Sequence, residues 1–165
     1  MQRHFTVTGF LSSQGCTLLH WHTKNRMWLP PGGHVEPNEE PSQAIYREIE
    51  EETGISINIL TKNQPFAYDL PQQLPLPVTI MLENVSMNET RYRHQHIDFV
   101  YFTQPKVIRN SLPQLQGWQW VSLGDLCNKI SIIPPTQSHT VAITEDVRIL
   151  GIASIEESRK QEGTT

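Results

Sequence analysis

One continuous stretch, Gly33-His-Val-Glu-Pro-Asn-Glu-Glu-Pro-Ser-Gln-Ala-Ile-Tyr-Arg-Glu-Ile-Glu-Glu-Glu-Thr-Gly-Ile55, carries most of the information about the fold. It predicts a helix over residues 41–53. Proline is favoured in a first helical turn, where Pro41 stands, because its missing N–H is not needed there. Gly54 suits the left-handed residue that follows a helix. Apolar side chains at helical spacing predict a face that packs against a sheet: Ala44, Ile45 and Ile49.

Three carboxylates share another face of this helix, at positions i, i+3 and i+4: Glu48, Glu51 and Glu52. Like charges this close repel each other, and Arg47 supplies only one positive charge. Their spacing therefore favours a cation site over a solvated acidic face. Mg²⁺ and Mn²⁺ prefer carboxylate and carbonyl oxygens. Gly32 and Gly33 let the backbone approach an ion or a phosphate closely, and a glycine carbonyl can itself be a ligand.

As a whole, the spacing resembles the Nudix box: Gly33, five residues, Glu39, seven residues, and then Arg47 to Ile55. Every fixed position of the box is filled, and the flanking segments 27–33 and 118–122 also resemble the family. The resemblance implies the α/β (α+β) class, with an α/β/α sandwich around a mixed sheet. It also implies a metal-dependent hydrolase that cleaves a phosphoanhydride bond in a nucleoside diphosphate derivative, such as a nucleoside triphosphate or ADP-ribose.

The resemblance further implies roles for single residues. The Gly32 carbonyl would be a backbone ligand of Mg²⁺ (or Mn²⁺). Arg47 would orient a carboxylate, Glu39 would brace the loop, and Gly33 would support the site. Three glutamates would form the acidic metal site and provide the candidates for the general base, without a ranking among them: Glu48, Glu51 and Glu52.

Outside the box, strands and helices alternate without regular βαβ units, which fits one mixed α/β or α+β domain. We expect this domain to span residues 1–158 and a polar, frayed tail to span 159–165. Residues 139–155 are expected to be helical despite their β-branched content. The other expected elements are a hairpin of strands 5–11 and 16–22, strands 78–82, 97–102 and 118–121, and a short helix over 122–129.

A polar segment that enters the strand over 97–102 provides candidates for substrate binding. Strand alternation places His96 and Asp98 on one sheet face, and Arg93 precedes them. Arg93 or His96 would contact phosphate. Asp98 would add a metal ligand or a base, and it competes with Glu83 and Glu89 for the role of supplementary acid. Candidates for stacking on a nucleobase are aromatic: Trp28, Phe66 and Tyr68.

Composition limits the other function classes. The net charge of −4 argues against general nucleic-acid binding. No apolar run approaches the ~20 residues that span a bilayer, and the first residues lack a secretory core. The two cysteines, Cys16 and Cys127, imply no disulfide framework. We therefore expect a cytoplasmic protein, without membrane association, that binds a small nucleotide substrate. Its oligomeric state, monomer or homodimer, stays open.

Three alternatives stay open at this stage. A catalytically silent Nudix module would bind a nucleotide or a protein partner, although such modules usually lose box glutamates. Isopentenyl diphosphate isomerisation uses the same fold, but no cysteine-and-glutamate arrangement is evident near Cys16 or Cys127. RNA decapping is a third alternative, and no long basic stripe supports it.

Overall fold

The computed structural model describes residues 2–60, 66, 68, 70–85 and 94–163. Within them the strands are β1 (Gln2–Ser13), β2 (Cys16–His22), β3 (Met27–Leu29), β4 (Gly32–His34), β5 (Ile57–Ile59), β6 (Thr79–Val85), β7 (His94–Pro105) and β8 (Trp118–Ser122). The helices are α1 (Pro41–Thr53), α2 (Leu123–Cys127) and α3 (Glu145–Glu162).

Strand β1 organises the sheet. It pairs in parallel with β7 along most of its length, and its remaining edge pairs antiparallel with β4 near Thr6 and with β2 near Ser13. The other described pairs, β2 with β3 and β8, and β7 with β5 and β6, are antiparallel. The sheet is therefore mixed, and the long β1–β7 ladder lies at its centre.

Alternation along β1 and β7 separates two apolar layers. Val7 and Tyr101 face α1, where they join Ile45 and Ile49. Phe10 faces the opposite side, in the layer that holds α2 and α3. Helices thus cover both faces of one mixed sheet, and the predicted α/β/α sandwich is confirmed. His96 and Asp98 have the same parity as Phe102, so they face the α3 side.

Helix α1 has the predicted bounds because its end signals are local. The backbone N–H of Glu40 is bonded to the Gln43 side chain, and Pro41 opens the first turn. At the other end Gly54 is left-handed (φ 69°), and its N–H donates to the Glu50 carbonyl. Gly9 of β1 leaves room for the helix, because a Cβ there would lie 2.6 Å from an Ile49 methyl. The helix that carries the box is therefore fixed directly against the central strand.

The predicted bounds of the last helix are wrong. It begins at Glu145, after Thr144 at its N-cap, rather than at residue 139, and it continues through Glu162. Val141 instead forms an isolated bridge with Ile132. Ser158 donates a hydrogen bond to the Ser12 carbonyl, which anchors the C-terminal half of the helix to β1. Residues 159–162, expected in a frayed tail, are thus helical.

Three short strands, β3, β4 and β5, were not predicted, because three residues carry too little periodicity. Strands β1, β6 and β7 are longer than predicted, and residues 86–93 of the intervening connection lie outside the described residues. Among the helices that the structure describes, none has the combination of length and apolar character needed to cross a membrane.

Candidate active site

The guanidinium of Arg47 connects several residues of the box through hydrogen bonds and ion pairs. Arg47 donates two hydrogen bonds to Glu39, at 2.8 and 2.9 Å, and one to the His34 carbonyl at 3.0 Å. It also contacts Glu48 at 2.8 Å and Glu51 at 3.3 Å. These hydrogen bonds lower the pKa of Glu39. Arg47 therefore links the loop after β4 to two of the three predicted metal-site carboxylates.

Each glycine of β4 lies next to one carboxylate of α1, Gly33 beside Glu48 and Gly32 beside Glu52. A Cβ on Gly33 would collide with the Glu48 carboxylate, so the missing side chain leaves the space that Glu48 occupies. A Cβ on Gly32 would collide with the Val7 carbonyl oxygen of β1. The Gly32 N–H donates to Glu52 Oε2 at 3.1 Å. Gly33 therefore allows β4 to lie this close to the Glu48 side chain of α1, and Gly32 allows it to lie this close to β1.

A cleft of about 310 Å³ opens beside β4 on the α3 side of the sheet. Glu52 reaches it from the end of α1, and the other wall is built by β6, β7 and the start of α3. Carboxylates and imidazoles therefore enter the cleft from elements distant in sequence: Glu52, Glu83, Asp98, Asp146, His20, His22, His34 and His96.

On the β7 wall, Asp98 is 1% exposed, and its Oδ1 accepts a 2.7 Å hydrogen bond from Thr6. Its Oδ2 is buried and has no hydrogen-bond donor among the described residues. Burial raises the pKa of Asp98, against the opposing effects of the Thr6 and Thr8 side chains. Burial, followed by the charges of Asp98 and Asp146, raises the pKa of Glu83 to about 7. Among the described residues that line the cleft, no lysine or arginine balances these carboxylates, so this wall has an excess of acidic groups.

The α1 wall has the same excess of acidic groups. Loss of solvation, with smaller contributions from the Glu48 and Glu51 charges, raises the pKa of Glu52 to about 7 despite its hydrogen bond from Gly32. Both walls thus hold a carboxylate that a nearby cation would stabilise in its charged form. Because hard divalent cations prefer carboxylate oxygens, this donor set fits Mg²⁺ or Mn²⁺.

The predicted substrate-binding residues have different outcomes. His96 and Asp98 line the cleft, as does Glu83, one of the alternatives for the supplementary acid. Burial, with three neighbouring imidazoles, lowers the pKa of His96 to about 4. Arg93 and Glu89, the other two candidates, lie outside the described residues.

Of the aromatic candidates, Trp28 belongs to the core at 1% exposure, which leaves no face of its ring open to a nucleobase. Phe66 and Tyr68 are exposed and line a separate groove rather than this cleft. The sequence interpretation missed His20 and Asp146, which do line it. Burial, followed by the His22 charge, lowers the pKa of His20 to about 4. The alternation of histidines at 20 and 22 in a strand was the available signal.

Comparison with known proteins extends the resemblance beyond the box. The NUDIX domain family model matches residues 2–142. The RNA pyrophosphohydrolase of Yersinia pestis (strain Pestoides F) is 32% identical over 109 residues, which cover 58% of this chain and 55% of that protein. The homologous enzyme of Yersinia pseudotuberculosis serotype O:1b gives the same figures. The chain therefore spans about half the length of the curated relatives it matches.

Solved structures agree over nearly the whole chain. A NUDIX-family hydrolase from Clostridium perfringens has a TM-score of 0.68 and 29% identity, covering 94% of this chain and 98% of that one. The MutT protein of Methanosarcina mazei Go1 is similar in fold, with a TM-score of 0.51 and 18% identity over 98% and 96% of the two chains. Because the family model matches most of the chain, this protein belongs to the Nudix family, as its box predicted.

Proposed function

We propose that this protein is a divalent-metal-dependent pyrophosphohydrolase that cleaves a phosphoanhydride bond in a nucleoside diphosphate derivative. The observation that carries the proposal is the cleft between two acidic walls, with Glu52 on one side and Glu83 and Asp98 on the other. A polyphosphate is too anionic to enter such a cleft without cations. A nucleotide delivered with divalent cations meets groups that match them.

The residues that would hold the metal are the box carboxylates, with the Gly32 carbonyl as a backbone ligand: Glu48, Glu51 and Glu52. When bound, the cation neutralises phosphate charge and makes water a stronger acid. Arg47 keeps the Glu48 and Glu51 carboxylates in place through contacts of 2.8 and 3.3 Å. The two hydrogen bonds from Arg47 to Glu39 fix the guanidinium itself, which supports the positioning roles proposed for both residues.

Proton acceptance is the second task of the site. Two carboxylates that line the cleft have a pKa of about 7, Glu52 and Glu83. A general base is most effective when its pKa lies near the working pH. All three box carboxylates are proposed metal ligands, so we assign the proton of the attacking water to Glu83. The alternatives within the box remain unranked: Glu48, Glu51 and Glu52. Asp98 is buried beside Glu83, and its negative charge would help to keep the pKa of Glu83 raised.

The curated relatives support a second substrate class, because they are RNA pyrophosphohydrolases. In RNA the internal links are phosphodiesters, so a phosphoanhydride bond is available only at a phosphorylated 5′ end. The net charge of −4 weighs against a broad RNA-binding surface. Free nucleotides are therefore the first candidate, and RNA ends are the second.

A substrate screen tests the proposal. Purified protein would be incubated in Mg²⁺ with nucleoside triphosphates, ADP-ribose, sugar nucleotides, dinucleoside polyphosphates and 5′-triphosphorylated RNA, with release of phosphate, pyrophosphate or nucleoside monophosphate as the readout. We expect turnover of at least one substrate, its loss in excess EDTA, and its recovery on addition of Mg²⁺. Nucleotide binding without turnover of any substrate would instead support the silent module, and full activity in EDTA would contradict the metal requirement.

A further inference from the structure

Four of the seven histidines converge at the edge of the cleft, next to but outside the box carboxylates. The sheet register explains why. His4 of β1 is the direct partner of His96 in the parallel β1–β7 ladder, and His94 is paired with Gln2 two residues earlier. His34 of β4 lies opposite Thr6 on the other edge of β1. Because these side chains share the α3 face, three strands deliver imidazoles to one place.

The nitrogen atoms are spaced as ligands of one metal ion would be. His4 Nδ1 lies 3.3 Å from His34 Nε2, and His94 Nε2 lies 3.2 Å from His96 Nε2. Ligand atoms of His4, His34 and His96 all lie within 4.8 Å of one another. A tetrahedral ion with Zn–N bonds of about 2.0–2.1 Å holds neighbouring nitrogens about 3.3 Å apart. Two pairs already have this separation, so small side-chain rotations would complete the arrangement.

We propose that His4, His34 and His96 form a binding site for a transition-metal ion, best satisfied by Zn²⁺, with His94 in reach of the fourth position. The ligand type separates it from the site in the box. Imidazole nitrogen suits Zn²⁺, whereas carboxylate and carbonyl oxygens suit Mg²⁺. The zinc site therefore does not depend on the proposed hydrolytic function, and an experiment that contradicts one of the two proposals leaves the other standing.

The position of this site gives it two consequences. It would join β4 to β1 and β7 through side chains, in addition to the backbone ladder, and so stabilise the short strand that carries Gly32 and Gly33. His34 and His96 also line the cleft. A bound Zn²⁺ would therefore place positive charge at the edge where an anionic substrate enters.

The direct test is calorimetric titration of Zn²⁺ into chelator-stripped protein that carries no oligohistidine tag, in millimolar Mg²⁺. We expect about one Zn²⁺ per chain. His34→Ala and His96→Ala should each weaken binding by at least ~100-fold, since even the outer partners of metal ligands are worth about 10–100-fold. His139→Ala is the matched control, because His139 is exposed and does not belong to the cluster. Glu52→Gln should leave Zn²⁺ affinity unchanged.

A second measurement needs no substitution and so does not depend on whether a variant folds. Co²⁺ bound to three or four imidazoles in tetrahedral geometry gives intense visible absorption, whereas Co²⁺ at octahedral oxygen sites absorbs weakly. We expect the intense spectrum in the wild-type protein and its loss when Zn²⁺ is added. The proposal would be overturned if the protein failed to bind Zn²⁺ or if Co²⁺ gave only the weak octahedral spectrum. It would also be overturned if His139→Ala and His34→Ala had equal effects, or if Glu52→Gln abolished Zn²⁺ binding.

Discussion

Substitution of Gly33 by alanine tests how the box positions its carboxylates. An added Cβ would lie 2.6 Å from Glu48 Oε2 and closer still to Oε1 and Cδ. Ordinary contacts between such atoms are about 3.5 Å, so the carboxylate must move by about 1 Å. The backbone need not move, because the colliding group is the end of a flexible side chain. The substitution therefore displaces a proposed metal ligand and leaves the fold in place.

Misplacement by about 1 Å can cost about 10²-fold in rate. We accordingly expect Gly33→Ala to lower kcat/KM about 10²-fold, measured as phosphate release across an Mg²⁺ titration. Its Tm should change by less than about 3 °C, because 1 kcal/mol shifts the Tm of a domain this size by roughly 2–4 °C. Thermal unfolding of the same samples would separate loss of activity from loss of structure.

Gly54→Ala is the matched control at the far end of the same helix. Gly54 has φ 69°, and no atom of the described residues lies within 4 Å of the place that an added Cβ would take, so alanine there strains only the backbone. Left-handed strain costs about 1–2 kcal/mol, which should lower Tm while kcat/KM of the folded protein stays unchanged. Wild-type kcat/KM in Gly33→Ala, or an activity loss that merely follows its unfolded fraction, would refute the steric explanation.

Burial raises the pKa of Glu52 and Glu83 from 4.5 to about 7. Between pH 4.5 and about pH 7, the folded metal-free protein therefore binds more protons than the unfolded chain. Its Tm in EDTA should therefore fall as pH rises through that window, and Mg²⁺ should reduce the fall; a rise would contradict the assignment. Asp98→Asn should lower kcat/KM about 10²-fold in steady-state assays, and an unchanged value would remove Asp98 from the site. Ile49→Ala should lower the free energy of unfolding by about 2–5 kcal/mol in urea titrations, because Ile49 is fully buried; a loss under about 1 kcal/mol would argue against its core role.

Local signals account for what could be predicted from the sequence. Pro41 and Gly54 define the ends of α1 through backbone chemistry that involves only their neighbours. The spacing of the glutamates then determines which of them share a face. The late helix has a comparable signal that the predicted start at residue 139 overlooks, because Thr144 followed by Glu145 and Asp146 is typical of a helix start.

The rest of the site depends on pairing between distant strands. Glu83 and Asp98 lie in one cleft with Glu52 only because β6 pairs with β7 and β7 pairs in parallel with β1. His4 and His34 come close through the antiparallel β1–β4 ladder. A one-residue change of register would send these side chains to the opposite face, and periodicity alone does not determine register between distant segments.

The central claim is that one face of α1 holds the cation needed for hydrolysis, and one pair of variants tests it most directly. Glu52 lines the cleft, whereas Glu50 lies off the shared face and accepts a hydrogen bond from Ser56. On the best substrate in saturating Mg²⁺, Glu52→Gln should lower kcat by at least about 10²-fold with the fold intact. Glu50→Gln should change kcat little. Equal losses in the two variants, or full activity in Glu52→Gln, would contradict the claim.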